Sequence, residues 1–396
     1  YRLRQRDGRP YWIHDLTFAP LAGLGVDLKT LNGLCQEAFT NIIAGNAEND
    51  AFNRLVLAAG LNWREVALLR AYGRYLKQIR IGFDLGYIAA TLNNHTDIAL
   101  SLVRLFKTRF YLARKLSAEA LAEKQERLVE AIRGALDGVT VLNEDRILRR
   151  FLEAILATVR SNFYQTDAEG AAKPYISFKL SPAGIGDMPR PVPLYEIYVY
   201  SPRFEGVHLR GGKVARGGIR WSDRQEDFRT EVLGLLKAQV VKNSIIVPVG
   251  AKGSFCPKRL PQGDREAIQA EVKACYADFI RGLLDITDNR VGDRVVPPPD
   301  VVRHDGDDPY LVVAADKGTA TFSDLANSVA AEYDFWLRDA FASGGSTGYD
   351  HKKMGITARG AWVSVRRHFR ELGLDPQSQD FTAVGIGDMS GDVFGN

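Results

Sequence analysis

Near residue 170 the hydrophobic period of this chain changes, and that change limits its fold more than any other feature. Upstream, apolar residues recur every three or four positions. Val66, Leu69, Tyr72, Leu76 and Ile79 fall on one stripe of segment 64–80, as an amphipathic helix requires. Segments 96–111, 118–136 and 143–162 read the same way. The last has Asn143 as its expected N-cap, with Glu144 and Asp145 suited to the positive end of the helix dipole. Downstream, YISFKL at 175–180 and LYEIYVY at 194–200 alternate with a period of two, and a third strand is read at 207–210. Small and polar residues gather between the two regimes, at 164–174. The organisation implied is a mainly helical region over 1–170 and an α/β domain over 171–350.

A length of 396 residues supports more than one domain. The 52 basic and 48 acidic residues are interspersed, which gives no basic stripe for nucleic acid and fits pockets for small anions. The three cysteines, Cys35, Cys256 and Cys275, have no CxxC spacing and no histidine partners, so a reducing compartment without a metal or disulfide framework is expected. No apolar run approaches the roughly 18 residues that span a bilayer, and the opening YRLRQRDGRPYW lacks the apolar core of a secretion signal. A cytoplasmic protein with no membrane or nucleic-acid partner follows. Because the chain opens on Tyr1 and closes soon after a glycine-rich turn, it is expected to be part of a longer protein.

The chemistry concentrates in Arg216–Phe255, RGGIRWSDRQEDFRTEVLGLLKAQVVKNSIIVPVGAKGSF. Arg216-Gly217-Gly218-Ile219-Arg220 presents two guanidinium groups around a backbone that a ligand can approach closely, and arginine grips carboxylates bidentately. A turn carrying surface arginines fits the same residues. A helix is expected from Asp223 to Val241, opened by a capping box at Ser222 and Gln225, then a short apolar strand at 244–247. Lys252 follows, flanked by Gly250 and Gly253; the spacing GxxxxGK[ST] of a phosphate loop is absent. A lysine held behind a buried strand beside another cation exchanges protons near neutral pH; an exposed loop lysine is the plainer reading. Asp300 comes after three prolines, which hold the backbone stiffly and suit either a proton-transferring acid or a simple turn. At the end, Gly385-x-Gly387-x-x-x-Gly391 follows the apolar run 381–384, a variant of the dinucleotide fingerprint in its required position.

In this order, RGGIRWSDR, KNSIIVPVGAKGSF, VPPPD, AADKGTATFSD, GGSTGYDHKKMGITARG and VGIGDMSGDVFGN resemble the glutamate dehydrogenase family, in particular its large bacterial NAD-specific class. The resemblance covers residues 173–396. It implies a helical N-terminal region, an α/β substrate-binding domain and, over 351–396, the start of a Rossmann-type NAD-binding domain. It implies oxidative deamination of L-glutamate to 2-oxoglutarate and ammonium with NAD, in a homo-oligomer. Lys252 and Asp300 would be catalytic. Arg216, Gly217, Gly218, Arg220 and Lys242 would bind substrate; Arg216 stands where the family has a lysine, which keeps the charge and changes the geometry. Thr357, Arg359, Gly385, Gly387, Asp388, Met389, Ser390 and Gly391 would bind the cofactor. Two other readings stay open: a dehydrogenase for another amino acid, which two substrate-facing arginines disfavour, and a non-catalytic piece that binds substrate or partner chains.

Overall fold

Helices fill the first part of the chain and strands the second, but they share one core. The computed structural model describes residues 2–6, 9–12, 28–112, 117–242, 247–319, 321–348 and 351–386. A short hairpin of β1 (Arg2–Arg6) and β2 (Arg9–Trp12) opens it. Seven helices follow: α1 (Leu28–Ile43), α2 (Arg54–Ala58), α3 (Trp63–Gln78), α4 (Leu85–Asn94), α5 (Thr96–Phe110), α6 (Ala118–Leu136) and α7 (Leu142–Ala157). Asn62 caps α3 with a full capping box, its side chain accepting from the Glu65 amide while Glu65 accepts from the Asn62 amide. Every residue of the expected α3 stripe is buried, from Val66 to Ile79.

Two details at α7 differ from the sequence reading. Val141, not Asn143, holds the cap position; Glu144, in the first turn, instead accepts from Asn94 and His95 at 2.8 Å each. The helix also ends at Ala157, and Thr158–Ser161 turns into strand β3. Its β-branched Thr158 and Val159 suit an extended backbone, and pairing with the next strand decides between the two conformations.

Strands β4 (Ile176–Leu180), β5 (Tyr195–Tyr200), β6 (Phe204–Arg210), β7 (Ala215–Trp221) and helix α8 (Phe228–Lys242) come next, followed by β8 (Val249–Pro257) and α9 (Arg265–Leu284). The small hairpin β9 (Asn289–Val291) and β10 (Arg294–Val296) precedes β11 (Val312–Ala315), α10 (Ser323–Glu332) and β12 (Ala342–Ser343). Last are α11 (His351–Met354) and α12 (Ile356–Glu371). Eight strands form one mixed sheet in the order β12-β11-β7-β8-β6-β5-β4-β3. The β12, β11, β7 and β8 neighbours run parallel, and the pairs from β8 to β3 run antiparallel.

Alternation in β4 and β5 suggests one wet face, yet β4 is buried throughout and β5 nearly so. Both faces are covered. On one, Phe178, Leu180, Tyr198, Tyr200 and Leu209 join residues of α3, α5, α7 and α8 in a single cluster, with the Tyr72 ring stacked 4.3 Å from Phe178. On the other, Ile197, Val199, Ile219 and Phe255 pack with α9 and α10. The break at 164–174 therefore marks a change of secondary structure within a shared core.

Buried charges tie the layers together. Arg229 of α8 makes a two-pronged pair with Glu196 of β5 at 2.6 and 2.7 Å. The segment 299–311 passes from the β3 edge across to β11. On the way, Asp305 pairs with Arg160 and Lys179, and Asp308 with Lys179 and Arg210. Such groups are tolerable inside because each has partners.

Candidate active site

Arg216–Arg220 is strand, not loop. β7 lies in the middle of the sheet, with Arg216 opposite Gly250 of β8 on one side and Val312 of β11 on the other. The same register places Ile219 opposite Gly253, so Gly218 stands across from Lys252. Side chains alternate along a strand, which brings Arg216, Gly218, Arg220 and Lys252 onto one face. The two glycines are required by contact. A Cβ on Gly217 would lie 1.5 Å from the Ala251 carbonyl oxygen, and one on Gly218 would lie 2.9 Å from Asp316 Cβ.

Helix α8 folds back over this face. It begins at Phe228 rather than Asp223, because Ser222 does not open it. The Ser222 hydroxyl donates to Glu231 at 2.8 Å and accepts from the Arg224 amide. Glu231, in the first turn, meets Arg220 at 2.9 Å. Toward the other end, Gln239 Cβ is 2.9 Å from where a Cβ of Gly250 would be, and Gly250 is the partner of Arg216. The helix thus runs back along β7 and ends, at Lys242, near the Arg216 end. That fold-back is what a site shared by Arg216 and Lys242 demands of the backbone; the Lys242 side chain and residues 243–246, including most of the expected strand 244–247, lie outside the described residues.

Lys252 lies within β8, not in a loop. Its Nζ is 2.9 Å from Asp316 Oδ2. Asp316 follows β11 and is positioned by Thr319, whose hydroxyl accepts from the Asp316 amide at 3.1 Å and donates to the Ile219 carbonyl at 2.6 Å. Burial would raise the Asp316 carboxyl, but the Lys252 hydrogen bond, the Lys317 amide and the Arg220 charge outweigh it and hold it below the usual range. Arg220 Nη2 reaches the other carboxylate oxygen at 3.4 Å. Arg220 is therefore committed to two acids. Arg216 is exposed and has no ion pair among the described residues.

Asp300 is elsewhere, a correction to its expected place beside Lys252. It is exposed in a turn with φ +53°. The neighbouring Pro299 carbonyl accepts from Gln165, and the His304 amide donates to Val159 of β3. Four strand spacings separate β3 from β8, roughly 19 Å at about 4.8 Å each. The acid that sequence reasoning missed is Asp316. Its signal was present: AADKGTATFSD follows an apolar run, which puts the aspartate at the end of a buried strand.

Of the expected cofactor residues, Thr357 and Arg359 lie exposed on α12, and Gly385 is exposed beyond it. Arg359 has no ion pair among the described residues; two residues from Thr357, it projects from a different side of α12. Gly387, Asp388, Met389, Ser390 and Gly391 lie outside the described residues. Residues 380–386 are not paired as a strand. Among the described residues no cluster could hold a metal ion, and no helix is long and apolar enough to cross a membrane.

A buried mixed sheet flanked by helices, carrying a lysine–aspartate pair on one face with an exposed arginine two residues along the neighbouring strand from the glycine facing that lysine, makes this an α/β protein. Residues 131–396 match the family described as bacterial NAD-glutamate dehydrogenase, catalytic domain, and residues 47–112 match glutamate dehydrogenase helical motif 3. The chain belongs to the bacterial NAD-glutamate dehydrogenase family. It is 71% identical over 397 residues to the NAD-specific glutamate dehydrogenase of Pseudomonas aeruginosa, covering 100% of this chain and 24% of that protein. The proteins of that description from Halomonas elongata and Mycobacterium tuberculosis are 60% and 53% identical over 99% and 100% of this chain, and 24% and 25% of their own lengths. The chain spans about a quarter of the length of these relatives.

Proposed function

We propose that this chain carries the substrate-binding and proton-transfer groups for oxidative deamination of L-glutamate to 2-oxoglutarate and ammonium, with NAD as hydride acceptor. The observation that carries the reading is the Lys252–Asp316 pair, 2.9 Å apart on the face that also holds Arg216.

Arg216, uncommitted to any acid of the described chain, holds one substrate carboxylate. Lys242, at the same end of α8, supplies the second cation. The ionised Asp316 takes a proton from the substrate ammonium, so that the nitrogen lone pair can expel hydride. NAD would be held by Thr357, Arg359 and residues 385–391 and would accept that hydride. The Lys252 ammonium then guides water onto the resulting iminium carbon, and the attacking water gives up a proton to solvent. Asp316 returns a proton to the departing nitrogen, ammonium leaves and 2-oxoglutarate remains. Fixing both carboxylates orients the α-hydrogen and contributes through positioning. Homo-oligomeric assembly and a cytoplasmic location belong to the same proposal.

The test is reduction of NAD by the full-length protein with glutamate, leucine and phenylalanine. Turnover of glutamate at least tenfold above the other two, lost in Lys252→Met, is expected. Preference for leucine or phenylalanine, or full activity in Lys252→Met, overturns the reading.

A further inference from the structure

The two arginines of RGGIR part company in the structure. Arg216 is exposed and has no ion pair among the described residues, whereas Arg220 is closed in by two acids from two other elements. The four groups alternate in sign: Lys252, Asp316, Arg220 and Glu231, joined at 2.9, 3.4 and 2.9 Å. Ser222 continues the chain by donating to the second oxygen of Glu231. Side chains along it are about four-fifths buried, so these charges act on one another with little screening by water. A guanidinium already facing two carboxylates is poorly placed to receive a third from a substrate.

We propose that Arg220 and its anchor Glu231 are positioning residues for the proposed reaction: they set the orientation and charge state of Asp316 from behind, while Arg216 alone of the pair receives the substrate. This rests on the reading of Lys252 and Asp316 given above. Glu231 holds the guanidinium at one end of α8, and the guanidinium holds the Asp316 oxygen that Lys252 does not use. The carboxylate is thereby aimed at the Lys252 side of the face. Asp316 is faced by Lys252 from β8 and by Arg220 from β7, with Glu231 of α8 acting on it through Arg220. Its own loop contributes the Lys317 amide, at 2.7 Å. No titratable group of α10 or β12 pairs with it among the described residues. Arg220 thus supports the ionised acid, and Glu231 tempers that support by competing for the same guanidinium.

The experiment is the pH profile of kcat/KM for glutamate in the full-length enzyme, for wild type, Arg220→Gln, Arg220→Lys and Glu231→Gln. Removing the cation in Arg220→Gln moves the acidic limb up by about one pH unit, as loss of a nearby opposite charge does. Arg220→Lys keeps the charge and holds the limb near its wild-type place. Glu231→Gln leaves the guanidinium with Asp316 as its sole acid and moves the limb down. A melting curve for each variant confirms a folded protein, and the downward shift in Glu231→Gln carries the test if Arg220→Gln fails to fold. A limb that stays in place in Arg220→Gln while KM for glutamate rises tenfold or more overturns the inference and returns Arg220 to the substrate. Shifts of the same sign in Arg220→Gln and Glu231→Gln also overturn it. Absence of glutamate oxidation by the wild type overturns the underlying reading, and this inference with it.

Discussion

Asp316 Oδ2 lies 2.9 Å from Lys252 Nζ across the β11–β7–β8 part of the sheet, although 64 residues separate the two in sequence. The parallel pairing of β11 with β7 and of β7 with β8 makes them neighbours, and Gly218, having no Cβ, lets Asp316 pack closely against β7.

If Asp316 is the acid of the site, Asp316→Asn lowers kcat for glutamate oxidation by about 10²-fold or more, the usual worth of a positioned proton-transfer group. Asp300→Asn stays within about threefold of wild type, since asparagine accepts the same left-handed backbone and the side chain is far from Lys252. Steady-state rates of the two variants decide between the acids; a large loss in Asp300→Asn alone would reverse the assignment.

The close approach of β7 to β8 predicts that Gly217→Ala is severe. Its methyl would overlap the Ala251 carbonyl at 1.5 Å, forcing central strands apart at a cost of more than about 3 kcal/mol. Gly234→Ala, exposed within α8 with nothing within 4 Å of the added methyl, stabilises by up to about 1 kcal/mol through helix propensity. Thermal melting of both variants reads the contrast.

His208 gives a pH dependence of stability. It is fully buried with neither ring nitrogen hydrogen-bonded. Burial first, and the Arg210 charge second, push its pKa down from 6.5 to about 3. The folded state therefore holds a neutral ring where the unfolded chain binds a proton. This contribution is fully present above about pH 6.5. It declines by up to ~1.4 kcal/mol per pH unit as pH falls, and is exhausted below about 3. His208→Leu should flatten the fall of urea midpoints between pH 6 and 4. Identical slopes in wild type and variant would show that the ring is not held neutral.

The shared core predicts that residues 171–396 do not fold when expressed alone. Phe178, Leu180, Tyr198, Tyr200 and Leu209 would lose their cover from α3, α5 and α7, leaving an apolar sheet face open to association. Aggregation, or strong binding of a hydrophobic dye, is expected; a cooperative melt of the trimmed chain would separate the two regions after all.

Much of this architecture was legible without coordinates. Local periodicity placed α3, α5, α6, β4 and β5 to within two residues, because burying one stripe or one face leaves a regular mark on the chain. The motifs also pointed to Lys252 and to the Arg216–Arg220 segment, since glycine beside a cation marks places where backbone must come close. What sequence left undecided depends on partners distant along the chain. Thr158–Ser161 is strand only because β4 lies beside it. β4 is buried on both faces only because helices cover one and α9 the other. Arg216 and Arg220 have the same charge and almost the same neighbours in sequence. Only the tertiary structure brings Glu231 and Asp316 to one and leaves the other free. The choice between Asp300 and Asp316 was of the same kind: both follow plausible signals, and sheet order alone decides which carboxylate meets Lys252, because strand neighbours are set by long-range pairing and not by local propensity.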